Sequence, residues 1–289
     1  MTRPPTGAHN PIAAILLMVF AALSFTVLDG TAKHLAAEYP VPQIVWGRYV
    51  FNLALMALFV PKVGTAGLWR TARPMFQIVR GLMLVGATAS IFMAVKFLPL
   101  SETYAISFVS PFIVALAAAL ILREHVGPRR WLTIAVGFVG VLIVLSPGGG
   151  ALGWAAVFPF MMACFWAAYQ IMTRIIGTTD PPLATLFYTA LTGTVASTVA
   201  VLFVWQPISF DGWIGLAFIG AVGLAGQLAL IRAYALAEAS LLSPLVYTQI
   251  VWAGLIGYFV FGDVPDGATI AGTVLIVVCG ILLVRHPRG

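Results

Sequence analysis

Residues 21–40 read AALSFTVLDGTAKHLAAEYP, and residues 161–181 read MMACFWAAYQIMTRIIGTTDP. At an offset of 141, Ala22 falls on Ala163, Phe25 on Trp166, Asp29 on Gln170, Lys33 on Arg174 and Pro40 on Pro181. Further along, an offset of 139 brings Gly81 onto Gly220, Ala94 onto Ala233, Ser101 onto Ser240 and Glu124 onto Asp263. The closing stretches GFVGVLIVL (137–145) and VVCGILLVR (277–285) match at 140. The chain therefore reads as one unit written twice, 11–146 and 151–285, joined by the breaker PGGG at 147–150.

The nature of that unit follows from composition. Of 289 residues, 61% are hydrophobic and 8% charged, with a mean hydropathy of +1.04; soluble domains carry about 25% charged residues. Apolar runs of about 20 residues match a hydrocarbon core about 30 Å thick. They predict ten spans, at 11–37, 43–61, 74–97, 102–122, 129–146, 151–175, 182–205, 211–236, 239–261 and 267–285. The first lacks a small-residue cleavage pattern and is read as a retained helix rather than a signal peptide.

Each half thus holds five spans, and five is odd, so the second half starts on the opposite face of the membrane. The expected fold class is an all-α polytopic membrane protein of ten transmembrane helices, arranged as two inverted five-helix repeats. Repeats of this kind place a substrate site near the midplane, between the halves. Twelve of the fifteen basic residues, Arg80 among them, are assigned to one side, and Lys33, Arg48 and Lys96 to the other. By the positive-inside rule both termini are expected to be cytoplasmic.

The same features exclude several functions. The longest connection, 62–73, cannot hold a nucleotide-binding module, and no G-x-x-x-x-G-K-[ST] occurs. Transport would run on gradients. A membrane enzyme would need clustered acids, bases or metal ligands at one interface, whereas His9, His34, His125 and His286 are scattered. Cys164 and Cys279 fall within spans and are read as packing residues. No metal or cofactor is expected. The basic residues are sorted by side rather than clustered, so nucleic acid is not an expected partner; membrane lipid and a small-molecule substrate are. The oligomeric state stays open, a monomer included. A channel or scaffold remains the rival to a carrier.

Two stretches carry a resemblance: RAYALAEASLLSPLVYTQIVWAGLIGYFVFGDVP (232–265) and its counterpart SETYAISFVSPFIVALAAALILREHVGP (101–128). With Lys33 in the first span and Arg48 in the second, the chain resembles the EamA-type branch of the drug/metabolite transporter superfamily over nearly its whole length. Among the members it is similar to are bacterial amino-acid exporters, including aromatic amino-acid exporters of the YddG type. Uptake carriers for compounds such as S-adenosylmethionine share the ninth-span pattern, and exporters of cationic drugs form a further alternative. The resemblance implies a secondary transporter of the bacterial inner membrane, exporting amino acids or similar amphipathic metabolites by alternating access. It also implies a central cavity bordered by spans one to four and six to nine, with five and ten peripheral.

Candidate cavity residues come from the two least ordinary spans. In the ninth, Ser243, Tyr247, Ile250 and Gly254 follow one helical face, with Gln249 and Thr248 beside it. In the fourth, Tyr104, Ser107 and Pro111 share a face bordered by Phe108 and Ser110. Polar atoms cannot face lipid unpaired, so both faces should turn inward. Trp166 and Tyr169 in the sixth span and Gln227 in the eighth lie mid-membrane and join the candidates.

Asp29 and Lys33, spaced i, i+4, read as a helical ion pair near the outer boundary. With Arg48 they form a candidate gate or coupling cluster. Glu124 and Asp263, at the ends of spans four and nine, read as structural carboxylates capping the next helix. Pro111 and Pro244 free a backbone carbonyl one turn earlier, and Gly81 and Gly220 allow close helix packing.

Overall fold

The structure, a computed structural model, describes residues 11–57, 65–121, 128–144, 153–176, 180–237 and 239–285. Among these residues every regular element is helical. The first half holds α1 (Pro11–Leu35), α2 (Val41–Ala57), α3 (Pro74–Phe97), α4a (Leu100–Ser107), α4b (Ser110–Ile121) and α5 (Pro128–Val144). The second holds α6 (Val157–Ile176), α7 (Pro182–Val201), α8 (Phe210–Leu236), α9 (Thr248–Ile256) and α10 (Gly267–Arg285).

Five stretches, Pro11–Leu35, Pro74–Phe97, Trp154–Thr173, Leu183–Val201 and Phe210–Tyr234, are long and apolar enough to cross a membrane. Four shorter apolar helical stretches fill out the bundle. The surface is inverted relative to a soluble protein. Ile12, Leu16 and Phe20 on α1 and Val274, Val278 and Leu282 on α10 form exposed apolar rows at i, i+4 and i+8. Thr26, Gln43, Gln77, Arg80 and Thr103 are fully buried. Apolar outside and polar inside is the arrangement that lipid requires, and the chain is a multi-pass membrane protein.

Local sequence sets the helix ends. Pro74 and Pro182 occupy first turns, where a missing N–H has no helical partner to lose. Ser209 caps α8 by accepting from Gly212 N at 3.1 Å. Asp266 caps α10 by accepting from Thr269 N at 2.7 Å.

The fourth and ninth spans, expected to be continuous, are broken. Pro111 cannot donate to Ser107, and Val109 N and Phe112 N instead make tight bonds three residues back, each of 3.0 Å. In the ninth span, residues Ser243–Tyr247 wind as a 3-10 turn, Gly257–Phe261 as a π turn, and Gly262 ends the run at φ 70. Glycine adopts that left-handed conformation without a Cβ penalty. The α-helical count of three and four residues does not hold through either break. The one-face stripes expected of these spans therefore do not extend across them.

Packing joins the two halves throughout. Helix α1 packs on α8, and α6 on α3; α2 packs on α8, and α7 on α3; α1 packs on α9, and α6 on both parts of α4. The pairs α2 with α7, α5 with α10 and α4a with α9 complete the bundle. Every contact in this set keeps a counterpart when the first five spans are exchanged for the second five. Gly81 lies against Thr192 of α7 and Gly220 against Phe51 of α2, where a Cβ would come within 2.8 and 2.4 Å of the neighbour's Cβ. Both glycines are close-approach points between halves.

Candidate functional site

Three helices contribute the centre of the site. On α1, Asp29 is 7% exposed, and its Oδ2 accepts a 2.6 Å hydrogen bond from Tyr104 Oη of α4a. Tyr104 continues an aromatic row: its ring lies 6.3 Å from Phe108, and Phe108 lies 4.9 Å from Tyr247, beside α9. All three rings are buried, and Tyr247 Oη has no hydrogen-bond partner among the described residues. The 3-10 turn that Pro244 opens places Tyr247 here, against the break that Pro111 makes in the fourth span.

Arg48 enters from α2. Its guanidinium lies 5.6 Å from the Tyr49 ring centre and 5.8 Å from that of Phe92. Nη1 donates to Thr88 Oγ1 at 2.9 Å, and the Thr88 hydroxyl also meets Tyr49 Oη at 3.0 Å. Among the described residues this is Arg48's single hydrogen bond, although a guanidinium carries five N–H donors. The side chain is half-buried, and its charge is felt at both Asp29 and Tyr104.

The expected Asp29–Lys33 pair does not form. Lys33 Nζ instead donates to Asp263 Oδ2 at 2.6 Å and stands 4.6 Å from the centre of the Phe261 ring. Asp29 turns toward α4a while Lys33 turns toward the end of the ninth span, where the π turn and Gly262 deliver the carboxylate. Asp263 therefore ties the ninth span to α1 and does not cap α10. Asp266 does so, and the Thr269 backbone and side chain hold its carboxyl below the usual carboxylate range. Glu124 lies outside the described residues, as do the side chains of Ser243 and Pro244.

The remaining candidates divide by their partners. Ser107 Oγ donates to Thr103 O of its own helix at 2.7 Å, and Ser110 is buried where α4b begins. Trp166 and Tyr169 stack on α6 at 5.4 Å, both half-buried. Gln227 on α8 and Gln249 on α9 are half-buried, without a side-chain partner among the described residues. A groove of about 330 Å³ between the adjoining ends of α1 and α8, lined by His34, Glu38 and Asp211, shares no residue with the site.

Arg80 is what the sequence reading missed. Counted there with the charges of one membrane side, it is fully buried between α3, α6 and α7. Nε donates to Gln77 Oε1 at 3.0 Å and Nη1 to Thr173 Oγ1 at 3.2 Å. Nη2 reaches Thr185 O at 2.7 Å and Thr189 Oγ1 at 2.5 Å, and the guanidinium lies 5.0 Å from the Tyr169 ring centre. Gln77 Nε2 passes the contact on to Asp180 Oδ2 at 2.9 Å, and Thr71 also donates to that oxygen. The signal was its place six residues inside a span, with a glutamine one turn before it. Every nitrogen of Arg80 is satisfied by protein, whereas Arg48 is held by one hydroxyl.

Among the described residues no three His, Cys, Asp or Glu side chains gather to hold a metal. The EamA-like transporter family model matches the chain twice, over residues 12–146 and 153–285. The chain belongs to the EamA-like transporter family. This EamA chain is 32% identical to the pseudopaline exporter CntI of Pseudomonas aeruginosa, over 96% of its own length and 98% of the relative's. It is 27% identical to a riboflavin transporter of Vibrio cholerae, covering 93% and 92%. With an S-adenosylmethionine uptake transporter of Rickettsia prowazekii it shares 25% identity, covering 95% and 93%. A crystal structure sharing 20% identity superposes with a TM-score of 0.66, over 95% of this chain and 98% of that one. The EamA chain is thus a membrane transporter with the fold of that structure. None of these three relatives is named an aromatic amino-acid exporter.

Proposed function

We propose that this EamA transporter is a secondary carrier exporting amino acids or similarly small, amphipathic metabolites across a bacterial inner membrane. The observation that carries this reading is the half-buried Arg48 beside the buried Asp29 and the row Tyr104, Phe108 and Tyr247. Ionisable groups inside a membrane bundle mark a substrate or ion path by default. Aromatic walls with a few polar groups suit a solute that is partly apolar and partly charged.

Alternating access by two inverted repeats is part of the same proposal. The double family match and the exchange relation among helix contacts support it. With both termini cytoplasmic, Lys33–Asp263 would face outward. Export is favoured because the pseudopaline exporter shares 32% identity, above the uptake carrier's 25%.

Counterflow in proteoliposomes tests the proposal. Labelled amino acids should exchange saturably, and Tyr247→Ala or Trp166→Ala should slow exchange without loss of folded protein. Linear flux would instead support a pore. Unchanged exchange in both variants would remove those residues from the site. Saturable exchange of riboflavin or S-adenosylmethionine alone would replace amino acids as the substrate class.

A further inference from the structure

We infer that Asp29 and Arg48 are the two poles of a zwitterion-binding site: Arg48 takes the substrate's carboxylate and Asp29 its ammonium group. The inference rests on the carrier reading above and names the chemistry of its site. Opposite charges inside a low-dielectric bundle attract strongly, yet these two make no ion pair. Each is held by a different neutral hydroxyl, Asp29 by Tyr104 and Arg48 by Thr88, on different helices. Pinned in this way, each keeps binding capacity that a direct pair would consume.

The free capacity has a definite shape. Thr88 engages only Nη1, so the Nε–Nη2 edge of Arg48, the side suited to bidentate carboxylate recognition, has no acceptor among the described residues. Gly223 of α8 lies beside that edge: a Cβ there would meet Arg48 Nε at an ordinary contact distance of 3.9 Å. Asp29 accepts from Tyr104 through Oδ2 alone and has no cation in contact, although it is buried. Tyr247, at the far end of the aromatic row, has a buried hydroxyl without a partner among the described residues, a donor that a polar group of a substrate could meet. An α-amino acid carries both charges on one carbon and presents its side chain to the adjacent aromatic row.

Binding to the detergent-purified full-length protein tests the assignment with matched probes. Phenylalanine is compared with phenethylamine, which lacks the carboxylate, and with phenylpropionate, which lacks the amine. Leucine, isopentylamine and isocaproate form a second series. Wild type should bind at least one amino acid about tenfold or more tighter than either of its single-pole analogues. Arg48→Gln should bring phenylalanine down to phenethylamine, and Asp29→Asn should bring it down to phenylpropionate. Retained binding of the matching analogue certifies each variant as folded. Arg48→Lys, which keeps the charge and loses the fork, should give an intermediate loss. Wild type binding the single-pole analogues equally well, or either neutral variant keeping the full preference, overturns the inference. Failure of both amino acids to bind also overturns it, while saturable exchange of riboflavin or S-adenosylmethionine in vesicles would leave the carrier reading standing.

Discussion

Tyr104 donates its hydroxyl to Asp29 across 2.6 Å, which joins the half-span α4a to α1 at the one buried carboxylate of the central site. Tyr104→Phe removes the donor and leaves the ring. A carboxylate that loses a charge-assisted bond inside protein should destabilise the fold by about 1.5–3 kcal/mol. Melting in detergent measures this, and the double variant Asp29→Asn with Tyr104→Phe should recover part of the loss. No change in melting would mean that water replaces the bond.

Lys33 and Asp263 tie the first half of the chain to the second, at 2.6 Å with side chains 17% and 20% exposed. A pair at this burial lies between the exposed and fully buried cases, so removing either partner should cost about 1–3 kcal/mol. Exchanging the residues, Lys33→Asp with Asp263→Lys, should restore most of it. If the exchange restores nothing, the charges act separately.

Arg80 is expected to tolerate no neutral substitute. Arg80→Met leaves Gln77, Thr173 and Thr189 without their shared donor and the carboxylate of Asp180 without its relayed charge. The cost should be about 3–5 kcal/mol, the range for breaking a buried charge network. Arg80→Lys should rescue poorly, because an ammonium cannot span the partners a planar fork reaches. Yield of monodisperse protein reports this, and wild-type yield from Arg80→Met would end the structural reading.

Asp266 gives a pH signature outside the spans. Its carboxyl is held below the usual range by Thr269, so its cap stabilises the fold above the unfolded carboxylate value and fades as pH falls through the folded one. The melting difference between wild type and Asp266→Asn should therefore narrow below about pH 4. A constant difference across that range would show that the charge contributes nothing.

The all-helical membrane class and the long apolar spans were legible because lipid imposes a one-dimensional rule on composition. Tyr104, Phe108 and Tyr247 stood out as aromatic residues in the two least ordinary spans, and their rings lie in one row. The partners of the charges could not. Asp29 and Lys33 sit one turn apart, and local spacing favours pairing them, but neighbouring helices offered Tyr104 to one and Asp263 to the other. Arg80 was hidden for a related reason: a basic residue near a span end reads as a loop charge until the helices that enclose it are placed. The breaks at residues 108–109 and 257–261 follow from proline and π geometry, which hydropathy does not see.

Gly81 and Gly220 allow the two halves to be tested against each other. They fall on each other at the 139-residue offset, and each receives a neighbour from the other half of the chain, Thr192 and Phe51. A new Cβ at 220 would stand 2.4 Å from the Cβ of Phe51, and one at 81 would stand 2.8 Å from that of Thr192. Neither neighbour can swing its Cβ aside, because that atom is fixed to the backbone. Each Gly→Ala change must therefore push two helices apart, at about 1–3 kcal/mol, with Gly220→Ala the worse. Removing the opposing Cβ, as in Gly81→Ala with Thr192→Gly, should restore the contact more than the two single effects predict. Additive losses in that double variant would show that the helices do not meet at these glycines and would remove the packing basis for matching the halves.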